Sequence, residues 1–179
     1  KEFGVLMASQ YFCRTKSESK TFEPNRFACY FEQPKLSLDA KDFLFTKRHL
    51  HPAVVRYCRL NSYKDWLQIP YYDIHGNFMG IQSRYMGRDM SQPRFRFPRG
   101  KGCHIYNMQV LKMLTPAEDL YIAEGCSDCW ALLSAGHKTM AIPSATLLDT
   151  EELKNALVKA NLVENRNTLH VYPDQDLAG

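Results

Sequence analysis

Leu120-Tyr121-Ile122-Ala123-Glu124-Gly125-Cys126-Ser127-Asp128 and Leu169-His170-Val171-Tyr172-Pro173-Asp174-Gln175-Asp176-Leu177-Ala178-Gly179 are the two stretches on which the fold turns. Each begins with a short continuous apolar run, 120–123 and 169–172, and ends in acids. Continuous runs bounded by polar, Gly or Pro residues read as buried strands rather than as alternating, half-exposed ones. The acids therefore fall at strand ends. In open α/β sheets that is where ligands bind, and carboxylates from neighbouring strands can converge there on one hard cation.

Between the two stretches the pattern is strand, helix, strand, helix, strand. Ser127 or Asp128 is expected to cap a helix running through Ala135, with Gly136 ending it. Lys138–Ile142 reads as the next strand. Asp149-Thr150-Glu151-Glu152 has the D-x-x-E form of a capping box ahead of Leu153, Leu157 and Val158 at helical spacing, and Thr168–Tyr172 closes the unit. Right-handed crossovers then give a parallel sheet with both acidic clusters at one edge. The fold class is α/β.

Upstream, Ala40, Phe43, Leu44 and Leu50 follow Ser37 or Asp39 at roughly helical spacing, and His51-Pro52 starts a second helix whose apolar face is Val54, Val55 and Cys58. Leu67–Asp73 and Phe78–Arg84 flank His75-Gly76-Asn77 and read as a β-hairpin, with Pro70 at an edge or bulge because it cannot donate to the ladder. Pro93-Arg94-Phe95-Arg96-Phe97-Pro98 follows. In an extended strand it would put both guanidiniums on one face and both rings on the other. Residues 14–26 are polar and read as a linker. The expected organisation is an unassigned segment over 1–36, an α+β subdomain over 37–116 and a βαβαβ unit over 117–179.

At 179 residues and 45% hydrophobic content the chain can bury a core, so a folded chain is expected. No apolar run approaches the roughly 18 residues of a membrane span, so no membrane partner is expected and a cytoplasmic location is. The net charge of +4 is unevenly placed: residues 84–101 carry six basic side chains against Asp89, about +5, and the remainder about −1. A solvated edge strand is one reading of this cluster. A track for phosphates, with Arg84, Arg94, Arg96, Arg99 and Lys101 as ligands and interleaved rings for stacking, is the other. Six cysteines contain one CxxC, Cys126 and Cys129, and no second pair, so no zinc site is expected.

Glu124, Asp174 and Asp176 are the candidate metal ligands, and Glu124 and Asp128 the candidate catalytic acids. Oxygen-only donors select Mg²⁺ or Mn²⁺, and Mg²⁺ commonly bridges carboxylates to substrate phosphates, which points to phosphoryl or nucleotidyl transfer. As an N-terminal helical acid, Asp128 also has a purely structural reading.

The pattern Glu124-Gly125-x-x-Asp128 with Asp174-x-Asp176-x-Ala178-Gly179 resembles the Toprim domain of bacterial primases, type IA and II topoisomerases, OLD-family nucleases and RecR-type repair proteins. Upstream, 42–55, 69–84, Pro93-Arg94-Phe95 and Lys101-Gly102 ahead of Tyr106-Asn107 are similar to the catalytic core of DnaG-type primases, those of plasmids, phages and mobile elements included. The resemblance covers about 37–179. It implies a magnesium-dependent nucleotidyltransferase making short RNA primers from NTPs on a single-stranded DNA template, with a replicative helicase as a possible companion. It also implies that the Toprim domain continues beyond Gly179. A Toprim nuclease, a non-catalytic nucleic-acid-binding module and, through Cys126-x-x-Cys129, a redox protein are the rival readings.

Overall fold

Local capping places the first helices. In the computed structural model, which describes residues 22–98, 104–143 and 148–173, Ser37 Oγ accepts from the Ala40 amide at 3.2 Å and starts helix Leu38–Lys41. That helix widens without a break into a π-helical segment, Asp42–Lys47. Ala40, Phe43 and Leu44 turn inward. His51 Nδ1 then accepts from the Ala53 amide at 3.2 Å, and Pro52 occupies the first turn of helix Pro52–Tyr57, with Val55 buried. The expected helix pair is present. Its first member is not a regular α-helix.

Four antiparallel strands follow in the order β1 (Asn61–Tyr63), β2 (Trp66–Tyr72), β3 (Phe78–Tyr85) and β4 (Phe95–Arg96). The β2–β3 turn is set by Asp73, whose Oδ1 accepts from the amides of His75 and Asn77 at 2.8 Å each, while Gly76 takes φ +87°. Side chains at these positions favour Asx turns for this reason. Pro70 pairs with Ile81 beyond the end of β1, beside a bulge at Tyr71/Tyr72, so its missing amide costs the sheet little. Alternation sends Leu67, Ile69 and Tyr71 to one face of β2, where they join the core.

The second sheet is parallel, in the order β6 (Lys138–Ile142), β5 (Asp119–Glu124), β7 (Thr168–Tyr172). The first crossover runs from β5 to β6 and the second runs back past β5 to β7, in opposite directions across the sheet, so their helices cover opposite faces. Helix Cys126–Ser134 packs Cys129 and Trp130 in one apolar cluster with Ala123 and Ala141, whereas helix Thr150–Lys159 brings Ala156 to Leu120, Ile122 and Met140. Strand positions agree with the sequence reading to within one residue. The first helix begins earlier than expected, with Gly125, at φ +104°, as its N-cap in place of Ser127 or Asp128.

Asp149 does cap the second helix, Oδ1 accepting from the amides of Glu151 and Glu152 at 3.0 and 3.1 Å. Replacing it with alanine is expected to cost about 1 kcal/mol, read as a lowered urea midpoint at unchanged slope.

One apolar cluster runs through both sheets. Leu44, Leu67, Ile69 and Tyr71 from the first half pack with Ala123, Cys129, Trp130 and Ala141 from the second. Trp130 Nε1 donates to Tyr106 Oη at 3.0 Å, and Tyr106 exchanges backbone bonds with Ala141 at 2.7 and 3.1 Å. Asn107 adds a polar tie. Its Nδ2 donates to the Thr139 carbonyl at 2.7 Å and its Oδ1 accepts from Tyr57 Oη at 2.9 Å. No helix among the described residues is long and apolar enough to cross a membrane.

Candidate active site

The parallel sheet delivers two acids to one cleft. Glu124 is the last residue of β5, Gly125 turns the chain, and Asp128 lies in the first turn of the helix that follows. The cleft, about 280 Å³, opens between this turn and the first sheet. Glu124, Gly125, Cys126, Ser127, Asp128 and Pro143 form one wall; Tyr71, Gln82, Arg84, Arg94, Phe95 and Arg48 form the other. Carboxylates thus face guanidiniums across a small volume. Gly125 sits at φ +104° and ψ 149°, a region that side chains other than hydrogen rarely adopt. Gly125→Ala is expected to cost roughly 1–3 kcal/mol and to swing Glu124 away from the cleft, measurable as a lowered thermal midpoint.

The basic wall is built from three elements. Arg84 comes from β3 and its guanidinium carbon lies 4.6 Å from the centre of the Phe43 ring and 5.2 Å from that of Phe95. Its Nε and Nη1 are buried without a hydrogen-bond partner. Burial first, then the nearby Arg94 and Arg48 charges, pulls its pKa below the usual arginine value. Arg94 also lies over Phe95, at 5.4 Å, and Arg48 over Phe43, at 5.6 Å.

Register explains which arginines meet. Phe95 pairs with Arg84 and Arg96 with Ser83, so Phe95 shares a face with Arg84 while Arg96 points the other way. Arg96 lies 3.7 Å over the Trp66 ring and does not line the cleft. The expectation that Arg94 and Arg96 share a face is corrected accordingly: β4 is only two residues long, and Arg94 precedes it. Arg99, Lys101, Asp174 and Asp176 lie outside the described residues. Strand β7, which leads to the last two, ends with Tyr172 paired to Ala123, next to Glu124.

Arg48, Phe43, Tyr71 and Gln82 had no functional reading in the sequence. Lys47-Arg48 at a helix end was the visible signal for the first; nothing local marked the others.

The thiols are structural. Cys126 Sγ lies 3.4 Å from Gln82 Oε1, which also accepts from Tyr71 Oη at 3.2 Å, and Cys129 Sγ donates to the Thr139 carbonyl at 3.5 Å. Burial pushes the Cys126 thiol up to about 12 and that of Cys129 well above its usual value. Redox cysteines need the opposite shift. Among the described residues no three His, Cys, Asp or Glu side chains gather as a metal-binding group.

No family model matches the chain, and no curated protein does. Solved structures do. The Aquifex aeolicus primase, comprising zinc-binding and RNA polymerase domains, superposes with a TM-score of 0.64 at 18% identity, over 87% of this chain and 47% of its own. The RNA polymerase domain of Mycobacterium tuberculosis primase DnaG, in complex with double-stranded DNA, does so at 0.67 and 15%, over 87% and 63%. The fold is that of a DnaG-type primase catalytic core. The E. coli primase catalytic core matches this fold at 0.59 and 17%, over 87% of the chain and 61% of its own length. Identities this low speak for the primase-core fold alone. The chain spans about half the length of the Aquifex protein and under two thirds of the other two.

Proposed function

We propose that the chain carries the nucleotidyl-transfer site of a DNA primase, joining ribonucleotides on a single-stranded DNA template. The observation that carries this reading is the cleft in which Glu124 and Asp128 face Arg48, Arg84 and Arg94. Acids beside guanidiniums serve a reaction in which phosphate charge must be held while a hydroxyl attacks. Two of the neighbours with the same fold are described as bound to single-stranded and to double-stranded DNA, which is consistent with a nucleic-acid substrate.

The donor set suits Mg²⁺ or Mn²⁺. Glu124 and Asp128 offer hard oxygens, and Asp174 and Asp176 follow a strand that ends beside Ala123. Glu124, Asp174 and Asp176 would hold the ion, with Asp128 beside them. When bound, it would lower the pKa of the attacking hydroxyl and neutralise the leaving pyrophosphate. The protein's own contribution is positioning. Gly125 exposes Glu124 at the strand tip, Gln82 accepts from Tyr71 and Cys126 to fix the floor, and Arg84 and Arg94 bring positive charge to phosphate. Arg96, which lies outside the cleft, is assigned to template together with Arg99 and Lys101. A replicative helicase is a proposed partner in the cell.

The test is incubation of the chain with single-stranded DNA, labelled ribonucleotides and Mg²⁺ or Mn²⁺. Template-directed, divalent-dependent incorporation is the expected result. Strand cleavage without synthesis would make the protein a nuclease, and binding without turnover would make it a recognition module; either outcome overturns the reading.

A further inference from the structure

Gln82 is a neutral side chain among charges. It lies on β3 two residues before Arg84, and strand alternation puts both on the face that looks into the cleft. Its Oε1 accepts twice, from Tyr71 Oη at 3.2 Å and from Cys126 Sγ at 3.4 Å. The thiol is a dependable donor, since burial pushes its pKa up to about 12 and keeps it protonated. Sulfur is a poor acceptor, so the amide gains nothing by turning its nitrogen toward Cys126. Both lone pairs of the side-chain carbonyl are taken.

The donor end is what remains. Both hydrogen bonds of the side chain end on Oε1, and the half-buried Gln82 lines the cleft, so the Nε2 protons are the ones left for a ligand. Gln82 can therefore meet a ligand only as a donor. A nucleotide offers acceptors on its phosphates, its base and its sugar. Phosphate oxygens have three guanidiniums on the same wall, which are stronger partners than a neutral amide. A base edge is ruled out by the reaction, because a site that copies a template must admit all four bases and one fixed donor would favour some. The sugar is common to all four. Two residues along a strand, about 7 Å, also set Gln82 apart from Arg84 by a step comparable to that from a nucleotide's phosphate to its ribose.

We infer that Gln82 donates to the 2′-hydroxyl oxygen of the incoming nucleotide and so selects ribonucleotides over deoxyribonucleotides, and that Tyr71 and Cys126 are positioning residues that fix its amide. The inference rests on the nucleotidyl-transfer reading of the same cleft. The 2′-hydroxyl is the group by which a protein tells the two sugars apart at a given site. Against deoxyribose, Nε2 has only water to meet.

The test compares CTP with dCTP on the 179-residue chain in Mg²⁺, by calorimetric binding and by incorporation opposite a templating guanine. The wild type is expected to bind CTP more tightly and to use it with the higher kcat/KM. Gln82→Met, which keeps the length and removes the donor, should lower the CTP-to-dCTP ratio about 3- to 10-fold in both measurements, the worth of one neutral hydrogen bond. The GTP-to-dGTP ratio opposite cytosine should fall by the same factor, since the sugar is read and the base is not. Cys126→Ser, which keeps a donor, should hold the ratio closer to wild type than Cys126→Ala does, and this pair serves as the second arm should Gln82→Met unfold.

An unchanged ratio in Gln82→Met, or a loss confined to one base, would overturn the inference. Equal ratios in the Ser and Ala variants of Cys126 would overturn the positioning role given to that thiol. A chain that binds neither nucleotide contradicts this inference and the primase proposal together. Otherwise the two fail separately. A Gln82-dependent sugar preference in binding without any synthesis would sink the primase proposal alone, and synthesis with a sugar preference indifferent to Gln82 would sink this inference alone.

Discussion

Glu124→Gln is expected to lower template-directed ribonucleotide incorporation by at least about 100-fold while leaving binding of single-stranded DNA within about twofold of wild type. The substitution keeps the side chain's size and hydrogen-bonding reach but removes its charge. Glu124 closes β5, is half-buried, and lines the cleft opposite the guanidiniums, so its loss removes the anion that balances them and one hard oxygen donor. The fold should survive, since the apolar residues of β5, Leu120, Ile122 and Ala123, are untouched. A rate assay combined with an unchanged thermal midpoint separates chemistry from stability. Loss of activity accompanied by loss of structure would assign Glu124 a structural role instead.

Trp130→Ala is expected to be the most destabilising single change in the described structure, by about 3–5 kcal/mol. Trp130 is 1% exposed and belongs to the cluster that joins the two sheets. Its removal opens a cavity in that cluster and takes away the donor to Tyr106 Oη, a group itself buried at 3% exposure. Loss of one of this buried hydroxyl's two partners, the other being Cys58, adds to the cavity cost. Denaturant unfolding should show the loss as a lower midpoint. A shift under 1 kcal/mol would mean that the two halves do not depend on this cluster for stability.

β7, read from the sequence as buried, is exposed at Leu169, Val171 and Tyr172, yet the parallel half was the most legible part of the sequence because β5 and β6 are largely buried. Such strands give continuous apolar runs, and the breaks at Glu124, Gly136 and Pro173 punctuate them. The helix start was misplaced by two or three residues, since a glycine at φ +104° takes the N-cap position that the sequence offered to Ser127 or Asp128. The hairpin was legible through its Asx turn. The π-helical segment was not, because a wide turn differs from an α turn by one residue of register and leaves an almost identical apolar pattern.

The site was half visible. Glu124 and Asp128 stand close in sequence, so spacing alone brought them together. Arg84 and Arg94 were picked from a local excess of charge, but that excess also swept in Arg96, which the strand alternation turns away to Trp66. Charge counting has no facing information; register has. Arg48, Tyr71 and Gln82 come from separate elements, and only the packing of the first sheet against the parallel one brings them to the acids.

The most direct measurement of the central claim is Mn²⁺ binding followed by electron paramagnetic resonance, in the wild type, Glu124→Gln and Asp174→Asn. The wild type is expected to quench the free Mn²⁺ signal, with both substitutions weakening the effect at least about tenfold and restoring activity in neither. Equal Mn²⁺ affinity in all three proteins would contradict a metal site shared between the ends of β5 and β7.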